Sequence, residues 1–378
     1  QLVSGTTAQD LTVDNINTTS INSGQPSGKR NLVINGAMQL AQRGTSSTSS
    51  GIHTVDRFTC EFSGTDEAPE QRAASLGTGD TGVYELGFRK AFKVTNGNQS
   101  GGAGASDFIN IQHKLEAQDI ATSGWNYTSS SSYVTLSFWI KSSVAQSFKG
   151  FLRTRDGTEQ RYTFDTGSLS ADTWTKITKT IPGNSNITIN NDNGEGLQIN
   201  IGAFWGGTYT DNSVTENAWG AYSGSTRMKD NTSTWYTTND ATLEITGVQL
   251  EVGSTATDFE HRSFGEELSL CQRYFTKVAY AQASGSGDGS TMASVHARFG
   301  VDMRSGPTIT ASGVLNAQGD NALNSTQSSV HVGTSNFSSP QNMYLVFVQN
   351  FSGVVQGRSY VIGLIANNSN QFLADAEL

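Results

Sequence analysis

The chain has 378 residues, a formal net charge of −9 and only 15% charged residues. Its length predicts more than one domain, and its acidic balance lacks the basic footprint of a nucleic-acid-binding protein. The sequence contains no run of about 18 apolar residues and therefore offers no membrane span. Its two cysteines, Cys60 and Cys271, are far apart, which argues against a disulfide framework and a zinc site.

The first 30 residues form a segment of their own. Their few apolar residues are scattered among Thr, Asn, Asp and Ser, so one chain has too little apolar surface here to bury. Several chains wound together could bury these residues. The pattern therefore predicts a stem or linker at residues 1–30, with a Pro- and Gly-containing boundary at residues 25–28.

Residues 31–262 show the pattern of an antiparallel β-sandwich or jelly roll. Apolar and polar residues alternate at 134–140, at 197–201 and again at 243–252, which predicts strands with one buried face. The last run changes phase at Gly247, as expected for a β-bulge. Clusters of Gly, Ser, Asn and Asp separate the runs and indicate the many turns of an all-β fold.

A short connecting helix is predicted at residues 263–275. Ser263 and Glu266 match the S-x-x-E capping box, in which the first side chain accepts a hydrogen bond from the third residue of the helix. Phe264, Leu268 and Cys271 follow at helical spacing and are expected to share the apolar face.

Residues 276–378 indicate a second β domain. Apolar residues alternate at 295–303, and a continuous apolar run at 345–348 predicts a strand that is buried on both faces. Loops rich in Gly, Ser and Asn separate these runs, including one at 284–290 and one at 333–340.

Catalytic and metal-binding motifs are missing from the sequence. It has no G-x-S-x-G, H-E-x-x-H or Walker motif, and its five histidines do not cluster. The Asp192–Glu195 stretch favours a turn over a calcium loop, because it lacks the alternating oxygen ligands of an EF-hand. A structural calcium ion elsewhere in a jelly roll stays open, but no residue can be assigned to it. The sequence predicts no enzyme and no cofactor.

Aromatic residues concentrate between residues 204 and 236, among Gly, Thr, Asn and Ser. Such rings suit sugar recognition, since a ring stacks on the apolar sugar face while polar neighbours bond the hydroxyls. The alternative is that the rings close the end of the core, which is favoured for Trp205 and Trp219. The pattern does not decide between the two for the other rings. The candidate glycan-binding residues are Tyr222, Trp235, Tyr236 and, in a later loop, Phe337.

Several strings together resemble the distal parts of tail fibre proteins of tailed bacteriophages. They are KRNLVINGAMQLAQRG at 29–44, VDRF at 55–58, YVTLSFWIK at 133–141 and ITGVQLEVGSTATDFEHRSFGEELSLC at 245–271. The middle region is similar to carbohydrate-binding-module jelly rolls. The resemblance covers about residues 20–275 and is carried beyond them only by MRSGPTIT and the final DAEL.

This resemblance implies a homotrimer on the virion that contacts other phage tail proteins and attaches to a host-surface glycan or lipopolysaccharide. It also implies a fibre stem at 1–30 and a distal knob at 276–378. The motif residues Asn35, Gly36, Gln249 and Glu251 are interpreted as structural, and Asp56 and Arg57 are expected to form a charge-assisted pair.

Two other functions stay open from the sequence. A tailspike-type depolymerase would need two carboxylates in one cleft and commonly a long β-helix, yet the sequence has no internal repeat. A purely structural tail component would need no receptor site at all.

Overall fold

The computed structural model describes residues 30–278, 283–287, 293–312, 315–319, 324–327, 332–334, 343–348, 356–357, 359–364 and 371–378. These residues confirm the predicted all-β fold, since their sheets are antiparallel and their helices are few. The predicted stem lies outside the described residues, apart from Arg30. None of the described helices is long and apolar enough to cross a membrane.

Two six-stranded antiparallel sheets form a sandwich between residues 46 and 252. The first sheet has the order β1-β3-β4-β12-β6-β9, and the second has the order β11-β8-β7-β10-β5-β2. The elements are β1 (Ser46–Ser47), β2 (Phe58–Ser63), β3 (Glu70–Ser75), β4 (Lys90–Thr95), β5 (Phe108–Glu116), α1 (Ala117–Ala121), β6 (Tyr133–Ser142), β7 (Lys149–Thr154), β8 (Gln160–Asp165), β9 (Thr175–Pro182), β10 (Glu195–Trp205), β11 (Trp219–Ala221) and β12 (Thr242–Val252).

Strict alternation explains how the sandwich closes. Every second residue of a strand points to the same face, so the apolar residues of β6 and β10 meet between the sheets. Val134, Leu136, Phe138 and Ile140 are fully buried there, opposite Leu197, Ile199 and Ile201. The intervening residues are left on the outer faces, and on the second sheet these residues become the site described below.

The predicted bulge at Gly247 is confirmed. Gly247 has a φ of 62°, and the β12–β6 register shifts between Thr246 and Gln249. A Cβ atom at Gly247 would lie 2.7 Å from the Phe88 ring and 3.2 Å from Trp139. Both the left-handed backbone and the close packing therefore require glycine here.

The remaining elements follow the sandwich. They are α2 (Phe264–Gln272), β13 (Phe275–Val278), β14 (Ala283–Gly287), β15 (Ala293–Arg298), β16 (Thr308–Ser312), β17 (Leu315–Gly319), β18 (Asn324–Gln327), β19 (Val332–Thr334), β20 (Met343–Val348), β21 (Ser359–Leu364) and β22 (Gln371–Asp375). They form a three-stranded sheet of order β13-β22-β16 and a seven-stranded sheet of order β18-β17-β21-β14-β15-β20-β19. Strands thus occur in the predicted second β domain, while its limits as a separate domain stay a prediction.

Helix α2 begins as predicted, and its predicted apolar face is confirmed except at Phe264. The Ser263 hydroxyl oxygen accepts a hydrogen bond from the Glu266 backbone N–H at 3.3 Å. Phe264, however, is 59% exposed, so its expected place on the apolar face is wrong. Cys271 is buried beside Tyr274, and Leu268 packs against them, as expected.

The expected pair between Asp56 and Arg57 is also wrong. The Arg57 guanidinium pairs with the Glu377 carboxylate and lies 3.4 Å over the Tyr274 ring. Asp56 accepts hydrogen bonds from the Gln42 backbone N–H and side-chain amide, and burial raises the pKa of Asp56 to about 6. The partner of Arg57 is 320 residues away in sequence, beyond the reach of a local motif.

Candidate functional site

A groove of about 280 Å³ crosses the outer face of the second sheet. Its floor comes from β5 and β10, in which alternate residues point away from the core. Asn110 and Gln112 of β5 lie beside Gln198 and Asn200 of β10. These four amides are almost fully buried although they sit on an outer face, because the groove walls rise around them.

Hydrogen bonds within the floor leave three amide atoms without a partner. The side-chain N–H groups of Asn110 and Gln112 both donate to Asn200 Oδ1, each at 3.0 Å. Asn110 Oδ1, Gln112 Oε1 and Asn200 Nδ2 are buried and have no hydrogen-bond partner among the described residues. Buried polar atoms rarely stay unpaired. The floor therefore offers two acceptors and one donor to water or to a ligand.

Aromatic rings line the groove next to these amides. The Trp205 and Phe108 rings are stacked, with centroids 4.5 Å apart and an interplanar angle of 7°. Phe151 and Tyr222 continue the apolar surface. Trp205 Nε1 is buried and unpaired in the described part of the chain, so it adds another donor.

Basic side chains complete the walls. The Arg153 guanidinium lies 3.6 Å over the Tyr222 ring and donates twice to Glu159. The Arg227 guanidinium lies 4.3 Å over the Trp205 ring. Stacking of a cation on an aromatic face is favourable, and here it holds both rings in place at the groove.

The structure places one predicted site residue at this groove. Tyr222 is half-buried and lines the wall next to Phe151. A ligand contact by Tyr222 stays a prediction that its position supports. Phe337 lies outside the described residues.

The candidates Trp235 and Tyr236 need a correction. They are 0% and 1% exposed, so neither ring is available to stack on a ligand. Trp235 Nε1 donates to the Thr242 carbonyl oxygen at 3.0 Å, and the Tyr236 ring stacks on Phe204. Burial also raises the pKa of the Tyr236 hydroxyl, which donates to Asp107. These two rings close the end of the core, which was the alternative interpretation.

The two tryptophans for which the sequence favours core packing lie in different places. Trp219 is partly buried, packs against the main core, and donates from Nε1 to the Pro182 carbonyl oxygen at 2.6 Å. This position agrees with the core packing that the sequence favours. Trp205, for which core packing is also favoured, is 2% exposed but lines the groove.

Sequence reasoning missed the amides of the floor. The signal was present, since Asn110, Gln112, Gln198 and Asn200 are the polar members of the alternating strands. On the solvated face of a sheet, charged residues and Thr are the ordinary choice. Four amides at successive alternate positions of two strands mark a face that is not simply solvated.

The groove also contains two carboxylates, Glu61 and Glu195. Their register partners on β5 are Asn110 and Glu116, which are six residues apart on one strand. At about 3.4 Å per residue, that spacing is about 20 Å along the strand. Paired glycosidase carboxylates are about 5–9.5 Å apart, so this arrangement differs from both known geometries.

Metal ligands do not converge in the part of the chain that the structure describes. No group of three or more His, Cys, Asp or Glu residues there could hold a metal ion. Asp192 Oδ1 accepts a hydrogen bond from the Gly194 N–H at 2.9 Å. This contact closes the turn that the sequence favours at 192–195.

No protein-family profile matches the sequence, and no curated protein matches it. The structure is similar to the enzymatically active domain of tailspike protein 4 of bacteriophage CBA120, with 12% identity and a TM-score of 0.30 over 59% of this chain and 21% of that chain. It is also similar to the N-terminal cellulose-binding domain of Cellulomonas fimi β-1,4-glucanase C, with 10% identity and a TM-score of 0.27 over 58% and 99% of the two chains.

A third similar structure is the family 11 carbohydrate-binding module of Clostridium thermocellum, solved with a β-1,3-1,4-mixed-linked tetrasaccharide. Here the identity is 11% and the TM-score is 0.25, over 56% of this chain and 98% of that chain. The present chain therefore spans about a fifth of the tailspike structure and nearly all of the two binding modules. Similarity at these identities and TM-scores does not transfer a ligand or an activity to this chain.

Proposed function

We propose that this protein binds a glycan, without cleaving it, in the groove on the second sheet. The observation that carries the proposal is the unpaired set of Asn110 Oδ1, Gln112 Oε1 and Asn200 Nδ2 beside the half-buried Tyr222 ring. Sugar hydroxyls can both donate and accept hydrogen bonds. One sugar ring can therefore bond the unpaired acceptors and the unpaired donor together, while its apolar face packs on an aromatic side chain.

The placement of the carboxylates supports binding over hydrolysis. Glu61 and Glu195 are separated along the sheet by more than a glycosidase pair. Glu195 also lies 3.4 Å from the Arg155 guanidinium, so its carboxylate already has an ion-pair partner within the protein. A depolymerase therefore stays the second candidate.

The experiment that tests the proposal replaces the central amide with its closest analogue. In Asn200→Asp, Oδ1 still accepts from Asn110 and Gln112, but the donor becomes a carboxylate oxygen. We expect the variant to keep its fold and to lose at least about 30-fold in glycan affinity, or about 2 kcal/mol. Binding is measured on a microarray of neutral and acidic bacterial and algal polysaccharides, followed by calorimetry.

The matched control is Asn126→Asp, which makes the same chemical change at an exposed position. Asn126 Oδ1 accepts from the Thr128 hydroxyl, and an aspartate oxygen can still do so. The control is expected to bind like the unmodified protein. Equal binding by Asn200→Asp, or equal loss in both variants, would contradict a site in the groove. Release of reducing ends from a bound polysaccharide would favour the depolymerase.

We further propose that the glycan is a host-surface receptor, in a capsule or lipopolysaccharide, and that the protein acts as a homotrimeric tail fibre on the virion. The strings between residues 20 and 275 that resemble tail fibre proteins support this role, as does a stem-like segment with too few apolar residues for one chain. Contact with other tail proteins follows from the same role.

Light scattering on the intact chain tests the trimer, with an expected mass near three times 40.3 kDa. Binding of the trimer to whole host cells separates a receptor-binding fibre from a purely structural tail component. A folded monomer would contradict the fibre and leave a single glycan-binding protein.

A further inference from the structure

We propose that the groove selects glycans that carry an anionic group, and that Arg227 and the indole N–H of Trp205 bind that group. This inference rests on the proposed function and names the ligand class of the same groove. A carboxylate of an acidic sugar and a sulfate ester present the same chemistry, namely charged oxygens that only accept hydrogen bonds.

Arg227 is placed to receive such a group. Its Nε atom donates to the Gly224 carbonyl oxygen at 3.1 Å, and its guanidinium lies over the Trp205 and Tyr209 rings. Among the described residues, no carboxylate lies within 4.0 Å of Arg227, and its two terminal nitrogens have no hydrogen-bond partner. A guanidinium edge of this kind binds carboxylate or sulfate oxygens in pairs.

Trp205 supplies the neighbouring donor. Its Nε1 atom is buried and unpaired within the described chain, and it would lie 2.8 Å from a Cβ atom at Gly202 on the groove side of β10. Glycine at this position leaves room for the indole against the sheet. Arg227 and Trp205 both present donors here, which suits a group that only accepts hydrogen bonds. The unpaired acceptor Asn110 Oδ1, on the residue opposite Gly202, suits a hydroxyl of the same sugar.

A row of cations crosses the same face. The row contains three cations and one amide on the adjacent strands β8, β7, β10 and β5. In that order, the register partners are Arg161, Arg153, Gln198 and Lys114. Arg161 and Arg153 lie directly opposite each other, and like charges in that position are destabilising. Glu159 compensates Arg153, whereas Arg161 has no carboxylate within 4.0 Å in the described part. Burial lowers the pKa of Arg161.

The charge of the lining residues points the same way. Four cations line the groove, namely Lys114, Arg153, Arg155 and Arg227. They face three carboxylates, which are Glu61 and Glu195 of the lining and Glu159, the partner of Arg153 and Arg155. Glu195 faces Arg155, and Glu61 extends from β2, which the sheet order separates from β10 by β5. The excess of cations is local, because the whole chain carries a net charge of −9.

The test compares one acidic polysaccharide with its neutral form. The acidic polysaccharide that binds most strongly on the microarray is carboxyl-reduced if it carries carboxylates, or desulfated if it carries sulfate esters. The acidic and the neutral form are then each titrated against the full chain by calorimetry. We expect the acidic form to bind at least tenfold more tightly. Arg227→Gln is expected to lose about tenfold in affinity for the acidic form and less than twofold for the neutral form.

Two further variants isolate the guanidinium. Arg227→Lys keeps the charge but loses the paired geometry, so an intermediate affinity for the acidic form is expected. Arg72→Gln removes the same charge from an exposed position on the first sheet and is expected to leave both affinities unchanged. Circular dichroism and thermal unfolding confirm that each variant is folded.

The outcomes separate this inference from the proposed function. Equal affinity for the acidic and neutral forms, with binding still lost in Asn200→Asp, overturns the inference and leaves glycan binding intact. Equal loss of both forms in Arg227→Gln overturns the role of Arg227 in charge selection. A protein that binds no polysaccharide overturns the proposed function, and the inference with it.

Discussion

The two sheets of the sandwich each carry a cluster of buried polar side chains, and the clusters differ in how they are paired. On the first sheet, Glu251 accepts hydrogen bonds from the Gln249 amide, from the Thr257 backbone N–H and from the Thr257 hydroxyl. Gln249 in turn accepts from the Glu260 N–H. On the second sheet, the hydrogen bonds among the amides of Asn110, Gln112 and Asn200 pair only half of their N and O atoms.

On the proposed function, this difference separates a structural cluster from a binding cluster within one fold. The paired cluster ties the loop after β12 to the sheet, as expected for the structural motif residues Gln249 and Glu251. The described residues contain eleven buried side-chain N and O atoms without a hydrogen-bond partner, and six of them belong to residues that line the groove. Buried polar atoms rarely stay unpaired, and their concentration in the groove is the observation on which the proposed site rests.

The largest expected effect is on stability, from breaking the paired cluster. Glu251→Ala would leave the Thr257 N–H and hydroxyl without their acceptor, and it would leave the Gln249 amide with only long contacts to Thr257 Oγ1 and the Asp258 carbonyl oxygen, at 3.5 and 3.4 Å. We expect a loss of about 3 kcal/mol in the free energy of unfolding, measured by urea denaturation, with unchanged glycan affinity in the folded protein. The control Glu70→Ala removes a carboxylate that bonds the exposed Arg72 and should change stability by less than about 1 kcal/mol.

If Glu251→Ala lowered glycan affinity as much as Asn200→Asp does, the two clusters would not differ in function. In that case the first sheet would belong to the binding site.

A smaller effect is expected from the groove wall. Tyr222→Ala removes a ring that stacks under Arg153 and borders the floor. We expect glycan affinity to fall about tenfold, or about 1.4 kcal/mol, with little change in stability, because Tyr222 is only half-buried. Tyr222→Phe keeps the ring and should bind within about threefold of the unmodified protein. Equal losses in the two variants would assign the effect to the hydroxyl and contradict stacking.

The smallest expected effect is on the pH dependence of stability, through the Asp80 carboxylate beside the first sheet. Burial acts to raise the pKa of Asp80, but hydrogen bonds from Lys141 and Trp174 outweigh it and lower the pKa to about 2. A lowered carboxyl pKa stabilises the fold at pH values above the ordinary value of 3.8. That contribution is lost as the pH falls from about 4 to about 2.

Asp80→Asn should therefore flatten the stability curve between about pH 4 and pH 2 and leave glycan binding at neutral pH unchanged. Thermal unfolding at several pH values measures the effect. A pH dependence identical to that of the unmodified protein would show that Asp80 contributes nothing to stability.

Much of the fold was predictable because its signals are local. The alternation in β6, β10 and β12 and the phase change at Gly247 each need only neighbouring residues. The groove was not predictable in the same way, since Asn110 and Asn200 meet only through the β5–β10 register, across 90 residues. The aromatic candidates show the same limit, because Trp235 and Trp205 differ in location and not in residue type.

The most direct measurement of the central claim is a crystal structure of the protein with an oligosaccharide from the strongest polysaccharide on the microarray. The account predicts a sugar ring in the groove, with hydroxyl groups within hydrogen-bond distance of Asn110 Oδ1, Gln112 Oε1 and Asn200 Nδ2. A sugar bound elsewhere, with only water on these three atoms, would contradict it.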